Sequence, residues 1–402
     1  MSLLRIVSEQ CLQTDNATEV LSEIDQSHHQ DVELLSFLAE CLEAVRDIDD
    51  LNAPPPDEEV FQTVVERLTA YAQSPKDVDE EKTILRGLAT AARVQARQHD
   101  EIAEKSYRRL VEIEPQNSVH HYNLGLFCKT RGLFEEGKVA NQAAVRLSDD
   151  EVECYEWNLG ICATGAGDGA AALEVWKRME QKIEMGRFDL PEGGYPQCKV
   201  KLAERPLAER TAEMDDPGNE ETIWIQRLSP CHGIIRSVLY QDLGVNYGDV
   251  ILIDGAPITY HTYGDTQIAV FPHLATLVRQ NYQIFAFAGT QDEKGQLADA
   301  SVDLVQDAIV YSHSESYREL CASCWRDPDL DHDHHEQVDK HVVVGQIAAP
   351  PHIRPAELLE QLDAALAKRE KCRLYVPDLC AAAGQGDRAQ IERRRFDMLS
   401  GN

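Results

Sequence analysis

The sequence predicts an α+β multidomain protein in which an N-terminal α-helical repeat solenoid is followed by a small β-barrel-like unit and an α/β sandwich. The first observation behind this prediction is a repeated signature, because Asn-Leu-Gly occurs at 123–125 and again at 158–160. The second is a series of short strand-like runs separated by turn residues between about 222 and 280. The third is a tandem alternation of strand-like and helix-like segments between 281 and 384. With 402 residues, 43% of them hydrophobic, the chain is long enough for two or three domains.

The two Asn-Leu-Gly signatures mark helix-turn-helix repeats with a period of roughly 34 residues. In register, Gly125 and Gly160 lie where two helices must cross closely, and Gly132 and Gly167 lie at the turn to the second helix. A weaker unit over about 84–117 precedes them and lacks these glycines. Units of this kind stack, because none can bury its apolar face alone. An unrelated bundle of helical hairpins is the alternative interpretation.

This pattern resembles the tetratricopeptide repeat family, and the resemblance covers about residues 84–185. It implies that the first helix of each unit lines a concave surface that receives a peptide segment of another protein. Carried over position by position, that surface would present Leu88, Tyr122, Leu126, Lys129, Trp157 and Ile161. Most of these side chains are apolar, so an apolar or amphipathic partner helix is expected in the groove.

The family also has a clamp for a C-terminal carboxylate, which needs lysines, an arginine and asparagines on the same surface. Here Tyr122 and Trp157 stand where one lysine would, so the resemblance does not extend to carboxylate binding. The alternative for these two aromatic residues is that they pack against the protein's own 1–75 helices or its linker.

Charge and composition limit the classes of partner. Acidic residues outnumber basic ones by 70 to 39, which gives a formal charge of −31. That field repels phosphate backbones and anionic lipid surfaces, so we expect another protein or peptide as partner, and neither nucleic acid nor membrane. No signal peptide and no apolar run of roughly 20 residues is present, so a cytoplasmic location is expected. The eleven cysteines then are expected to be reduced thiols.

The predicted domain boundaries follow shifts in composition and periodicity. They are a helical cap or degenerate repeats at 1–83, repeats at 84–186, a linker at 187–221, the barrel-like unit at 222–280, the sandwich at 281–384 and a terminal helix at 385–402. In the barrel-like unit, five short strands are expected over about 223–271, which is too little chain for an extended sheet.

The sandwich is predicted to be a ferredoxin-like split βαβ fold. Its first cycle has a buried strand at 284–288, a helix at 298–306 and a strand at 308–311. Its second cycle has a strand at 341–345, a helix at 355–368 and a strand at 372–376. Two such cycles in tandem are typical of that fold.

A cluster of cysteine and histidine residues lies between these two cycles. Its members are Cys321, Cys324, His332, His334 and His335. Thiolate and imidazole groups together suit zinc, so a structural zinc ion is one hypothesis for the cluster. The other is a solvated acidic loop, because Asp-His-Asp-His-His lacks the usual spacing of a histidine pair.

A thiol stands beside an imidazole at Ser229-Pro-Cys231-His232, but neighbouring residues on a strand point to opposite faces. A tight turn between two barrel strands is therefore the preferred interpretation.

Taken together, the residues predict an interaction scaffold with an α+β C-terminal module. The alternative is an enzyme or zinc-dependent module at 223–380, for which the repeats recruit the substrate.

Overall fold

A computed structural model describes residues 32–46, 58–95, 97–264, 266–304, 307–321 and 337–401. The chain divides into two compact units. The first consists of Met1–Gly233 with Ile251–Leu277, and the second of Ile234–Val250 with Val278–Asn402. No helix among the described residues is long and apolar enough to cross a membrane.

The N-terminal region is helical, as predicted. Its described helices are α1 (Val32–Arg46), α2 (Glu58–Tyr71), α3 (Val78–Gln95), α4 (Asp100–Ile113), α5 (Ser118–Thr130), α6 (Phe134–Leu147), α7 (Glu153–Gly165) and α8 (Gly169–Arg178). Each helix packs against the next one in the chain; in addition, α1 contacts α3, and α5 contacts α7. Of the helical cap or degenerate repeats predicted at 1–83, residues 1–31 lie outside the described residues.

The two repeats that carry the Asn-Leu-Gly signature have the same turn between their helices. Gly132 and Gly167 both adopt a left-handed conformation, with φ of 73° and 74°, which glycine reaches without steric cost. After each glycine the next N–H donates back to the first helix, from Leu133 to the Cys128 carbonyl at 3.0 Å. The equivalent bond runs from Asp168 to the Ala163 carbonyl at 2.9 Å. The repetition is therefore present in the backbone as well as in the sequence.

Close helix crossing explains the second repeated glycine. A Cβ atom on Gly160 would lie 2.4 Å from the Trp176 ring, which is fully buried on α8. A Cβ atom on Gly125 would meet the Asn141 side chain of α6 at 2.3 Å. The second helix of each pair thus places a large side chain against the glycine of the first.

A five-stranded barrel follows the helices, as predicted. The sheet contains β3 (Cys198–Ala203), β4 (Glu220–Arg227), β5 (His232–Ile235), β6 (Val250–Ile253), β7 (Thr259–Tyr263) and β8 (Thr266–Val278), after a small β1 (Ile183–Met185) and β2 (Pro191–Gly193) pair. Its order is β3-β4-β5-β6-β8-β7, and a parallel pairing of β3 with β8 closes it. β7 lies outside the closed ring, where it forms an antiparallel pair with β8.

The segment 187–221, predicted to be a linker, contains β2 and β3. β3 supplies the strand that closes the barrel. The barrel and the last repeat also share one core within the first unit, in which Ile161 and Trp176 of the helices lie with Cys231, Leu252 and Leu274 of the barrel segment.

The second unit is a four-stranded antiparallel sheet with helices. Its elements are β9 (Gln283–Gln291), β10 (Ile309–Cys321), β11 (Gln337–Ala349), α9 (Pro355–Ala367), β12 (Arg373–Tyr375), α10 (Pro377–Ala382) and α11 (Gly386–Ser400). The strand order is β10-β11-β9-β12, and each neighbouring pair is antiparallel. α9 buries Leu358, Leu359 and Leu362 in a core with Phe287 and Val343 of the sheet.

One predicted helix of this unit is only a short 3-10 segment. The sequence predicted a helix over 298–306, whereas Ala298–Asp303 forms a 3-10 helix. The Ser301 hydroxyl accepts from the Val310 N–H at 2.8 Å, and Leu297 and Ala300 are buried in the core of the sheet. These contacts hold the segment close to the start of β10.

Candidate partner-binding groove

The first helices of the repeats, α3, α5 and α7, carry all six residues predicted to line a partner-binding surface. Leu88 of α3 is buried in the core of the helical region. Tyr122 and Leu126 of α5 are partly buried, as is Trp157 of α7. Lys129 and Ile161 are buried. The six side chains therefore do not form one continuous open surface.

At α7, residues of the barrel segment Ile251–Leu277 cover the predicted partner-binding surface. Trp157 packs edge-on against Trp176, with ring centroids 5.4 Å apart. It also lies directly over Gly255, where a Cβ atom would come within 1.6 Å of the indole nitrogen. Ile161, with no exposed surface, lies in the core shared with Leu252. Packing against the protein's own chain, the alternative considered for Trp157, thus occurs, although the barrel supplies the contact.

Lys129 of α5 forms a buried ion pair with Asp254, the residue before Gly255. Its Nζ atom lies 2.8 Å from the Asp254 carboxylate and donates to the Asn158 side-chain carbonyl at 3.0 Å. The side chains of Lys129 and Asp254 are only 5% and 13% exposed. Such a pair is strongly coupled, because removal of one charge leaves the other without a partner in a poorly solvated place. The loop after β6 therefore occupies the groove between α5 and α7.

Tyr122 lies next to the occupied part of the surface. Its ring stacks on Tyr155 with centroids 4.8 Å apart. Burial, together with the neighbouring Cys154, raises the pKa of Tyr122 to about 12. The hydroxyl is therefore neutral at physiological pH, and the ring offers a contact surface without charge.

An open groove remains at the other end of the repeats. We call it the polar groove; it has a volume of ≈ 610 Å³ and is lined by residues of α1, α3, α4 and the start of α5. The polar members of the lining are Glu40, Asp79, Lys82, Thr83, Arg86, Thr90, Glu114, Asn117, His120 and Asn123. Val119, which is 50% exposed, adds an apolar contact at its border. Sequence comparison with the family did not single out these polar residues.

Ion pairs organise the charges of the polar groove. Lys82 lies 2.7 Å from Glu114 and 2.9 Å from Asp79, and Arg86 lies 2.7 Å from Glu40. Hydrogen bonds, first from Lys82, lower the pKa of Glu114 to about 2, so this carboxylate is ionised at physiological pH. The groove therefore presents fixed charges of both signs.

His120 forms the floor next to Glu114. Its Nε2 atom lies 2.9 Å from the Glu114 carboxylate, and its side chain is only 6% exposed. Burial lowers the pKa of His120 despite the neighbouring carboxylate. Because a carboxylate can only accept, Nε2 carries the proton and the neutral ring donates to Glu114. This bond orients Glu114 towards Lys82.

The predicted zinc cluster cannot be assembled from the described residues. Cys324, His332, His334 and His335 lie outside them, and Cys321 is described only as the last backbone position of β10. Within the described part of the chain, no group of three or more His, Cys, Asp or Glu side chains has the geometry to hold a metal ion. The nearby His341 Nδ1 lies 3.1 Å from the Glu315 carboxylate. The zinc site stays a prediction.

The Ser229-Pro-Cys231-His232 segment forms the predicted turn between β4 and β5. The N–H groups of Leu228 and Ser229 both donate to the His232 carbonyl. Ser229 Oγ lies 2.5 Å from His232 Nδ1, while Cys231 Sγ donates to Thr164 Oγ1 at 3.4 Å. Burial raises the pKa of the Cys231 thiol to about 11. The thiol is therefore protonated at physiological pH, which makes it a weak nucleophile.

No family model matches the chain, and no curated protein matches it. Among solved structures, the chain is similar to MamA 41-end from Desulfovibrio magneticus RS-1, with 22% identity and a TM-score of 0.31 over 44% of this chain and 92% of that chain. A crystal structure of MamA protein has 13% identity and a TM-score of 0.33 over 44% of this chain and 87% of that chain. With TM-scores this low, the similarity carries no argument about fold or partner.

Proposed function

We propose that the protein is a protein-interaction scaffold and that an amphipathic segment of a partner protein binds in the polar groove. The main support for this proposal is that the protein's own chain covers only part of the surface formed by the first helices of the repeats, α3, α5 and α7. The α5–α7 end of this surface holds the protein's own Asp254–Gly255 loop, whereas the groove lined by α1, α3, α4 and the start of α5 is open, with a volume of ≈ 610 Å³. A repeat surface that already holds an extended loop at one end has the shape to hold another segment at the open end.

The lining of the groove favours an amphipathic segment with charged residues of both signs. Val119 and Tyr122 are three positions apart on α5 and so lie on the same side of that helix; they would contact the apolar side of the segment. Lys82 and Arg86 would bind carboxylates, and Glu40 and Asp79 would bind basic side chains. The predicted residue Leu126 lies one turn further along α5, next to Tyr122. Of the two kinds of partner expected from the sequence, apolar or amphipathic, the lining of the groove therefore favours the amphipathic one.

A pair of charge reversals tests the groove. Arg86→Glu reverses a groove charge that pairs with Glu40, while Arg109→Glu reverses an exposed arginine that pairs with Glu81 and Glu112 outside the groove. Both arginines are about half exposed, so both variants should fold. The full-length protein and both variants would be used to capture partners from native lysate, with quantification by mass spectrometry. The proposal predicts partners that the wild type and Arg109→Glu retain and Arg86→Glu loses; equal capture by all three would refute it.

We further propose that the second unit is the ferredoxin-like split βαβ fold predicted from the sequence. The order β10-β11-β9-β12 with antiparallel neighbours supports this proposal, as does the crossover helix α9. The 3-10 segment Ala298–Asp303 stands where the other crossover helix would be. An experimental structure of the full chain that gave a different strand order would contradict it.

A structural zinc ion at Cys321, Cys324, His332, His334 and His335 remains a separate proposal. The donor types suit zinc, and the ion would join the ends of β10 and β11. Elemental analysis of the purified protein should find about one zinc per chain, and Cys324→Ser should abolish it. Less than stoichiometric zinc that Cys324→Ser leaves unchanged would remove the proposal.

A further inference from the structure

A second groove of the first unit lies at the last repeat, between the end of α6, the start of α7 and the end of α8. We call it the acidic groove; it has a volume of ≈ 880 Å³. Its acidic lining residues are Asp149, Asp150, Glu151, Glu153, Glu156 and Glu180. Among the described lining residues Arg178 is the only basic one, so the lining carries a net charge of −5. The described linings of this groove and of the polar groove do not overlap.

The protein neutralises one of these carboxylates itself. Arg178 donates to both carboxylate oxygens of Glu156, at 3.0 and 2.7 Å. The other five acidic residues are exposed, and within the described structure none of them pairs with a cation. Because like charges gathered around one groove repel one another, a cation bound there would relieve that repulsion.

The helix ends around the groove add to its negative potential. α6 ends at Leu147 and α8 at Arg178, so two helix C-termini border the groove. A helix C-terminus carries a negative partial charge and favours nearby cations. The positive end of α7 lies there too, but Glu153 and Glu156 occupy its first turn. The groove as a whole therefore favours a positively charged ligand.

Tyr155 places a polar group in the groove that the protein does not use. It lines the groove, is only 7% exposed, and stacks on the Tyr122 ring with centroids 4.8 Å apart. In the part of the chain that the structure describes, its hydroxyl forms no hydrogen bond. A phenol oxygen can accept from an ammonium or guanidinium group, and an aromatic ring attracts the same cations. Tyr155 thus suits a basic side chain, independently of the carboxylates.

The rest of the lining favours a peptide over a single ion. Val145, Val152 and Met179 are partly buried and border the groove, so they offer apolar contacts that an ion cannot use. No group of three or more His, Cys, Asp or Glu side chains in the described chain has the geometry to hold a metal ion. A volume of ≈ 880 Å³ also lies in the range of sites that hold ligands of many atoms.

We propose that the acidic groove binds a basic amphipathic segment of another protein. Lysine or arginine side chains of the segment pair with the carboxylates of the loop 148–152, and one of them donates to the Tyr155 hydroxyl. Apolar side chains of the segment contact Val145, Val152 and Met179. A second copy of the chain is a poor occupant, because its formal charge is −31. The site is separate from the polar groove, so either site can exist without the other.

The test uses the full-length protein and a short fluorescent peptide in which lysine and leucine alternate. The groove variant combines Asp149→Asn, Asp150→Asn and Glu151→Gln. The control variant removes three exposed carboxylates outside both grooves, with Glu213→Gln, Glu360→Gln and Glu370→Gln. Both variants change the net charge equally, and neither removes an ion pair seen in the described structure, so both should fold.

Fluorescence anisotropy at physiological ionic strength measures the Kd of the peptide. Exposed ion pairs contribute little individually, which is why three carboxylates are changed together. The groove variant should raise the Kd about tenfold or more, and the control variant about twofold or less. Equal weakening by both variants would mean attraction by net charge alone and would overturn the proposal.

Two further measurements test the binding mode. Tyr155→Phe keeps the ring and removes the hydroxyl, and a second peptide has serine in place of every leucine. Each change should weaken binding about threefold or more. An unchanged Kd in either case would contradict the proposed mode. A rise in Tm with calcium alone that the groove variant abolishes would instead make a metal ion the occupant.

Discussion

At the scale of single residues, the predicted role and the observed role differ most for Lys129. The family resemblance assigns it to a partner-binding surface, whereas the structure buries it against Asp254. Nothing in the sequence indicated this pair, because the two residues are far apart in the chain and neither belongs to a recognised motif. Its Asn158 contact, by contrast, lies within the repeat signature itself. The side chain therefore stabilises the protein's own fold at that end of the groove.

A double-mutant cycle tests the energetic role of this pair. Lys129→Met should lower the free energy of unfolding by about 3–5 kcal/mol, because it leaves the Asp254 carboxylate poorly solvated and without its cation. Adding Asp254→Asn should recover a large part of that loss. Urea unfolding of the two single variants and the double variant measures the coupling, and purely additive effects would mean that the two charges do not interact.

Burial of the thiols predicts a large difference in their reactivity. Burial raises the pKa of Cys128 and of Cys162 to about 12, whereas Cys154 is exposed. Because the thiolate is the reactive form, Cys154 should be alkylated by iodoacetamide at pH 8 at least about tenfold faster than Cys162. Peptide mapping by mass spectrometry gives both rates. Similar rates in the native protein would show that α7 opens readily.

The buried His232 predicts a loss of stability in mild acid. Burial lowers its pKa to about 4 in the folded protein, compared with about 6.5 in the unfolded chain. The unfolded state therefore binds more protons, so the free energy of unfolding falls as pH drops from about 6.5 to about 4, by roughly 2–3 kcal/mol. Urea unfolding at several pH values should show a smaller drop for His232→Gln. The same slope in both proteins would exclude His232 as its source.

At the scale of elements, local patterns predicted the repeats well, because each turn and each helix crossing needs particular residues. Gly132 and Gly167 fit a left-handed turn, and Gly160 leaves room for Trp176. Elements that depend on distant partners were harder to predict. The sequence predicts a linker where β3 forms, since the strand character of β3 comes from its pairing with β4 and β8. It predicts a helix after Ala298, but the Ser301 hydroxyl bonds instead to the start of β10.

A glycine substitution tests the crossing of α7 and α8. Gly160→Ala would place a methyl group 2.4 Å from a ring atom of the buried Trp176. The overlap should cost about 1–3 kcal/mol, which exceeds the gain of up to about 1 kcal/mol from replacing glycine in a helix. Gly386→Ala is the control, because nothing lies within 4 Å of a Cβ atom there, at the start of α11. Thermal unfolding should show a lower Tm for Gly160→Ala only; equal Tm values would mean that the helices adjust freely.

At the scale of the whole molecule, the sequence suggested separate repeats, linker and barrel, and this division into six segments stays a prediction. In the structure, the repeats and most of the barrel belong to one compact unit. Ile161, Trp176, Cys231, Leu252 and Leu274 share a single core within it. Any study of the repeats alone would therefore expose a surface that is buried in the full chain.

Truncation after residue 190 should reveal that exposed surface. The fragment loses Leu252, Leu274 and Asp254, which cover Ile161 and pair with Lys129. It should bind a hydrophobic dye and unfold at a lower temperature than a fragment ending at residue 277, which keeps the complete first unit. A fragment ending at 190 that is as stable as the longer one, and binds no dye, would show that the repeats fold independently.

The sequence by itself determined the helical repeats, their turns and the presence of a small barrel, because periodicity and glycine placement act over short distances. It also determined the acidic charge, a formal −31, from which a protein partner rather than nucleic acid is predicted. Only the tertiary structure decided which part of the repeat surface stays open. That outcome depends on residues far apart in sequence, Lys129 with Asp254 and Trp157 with Gly255, whose contact arises only when the barrel packs against α7.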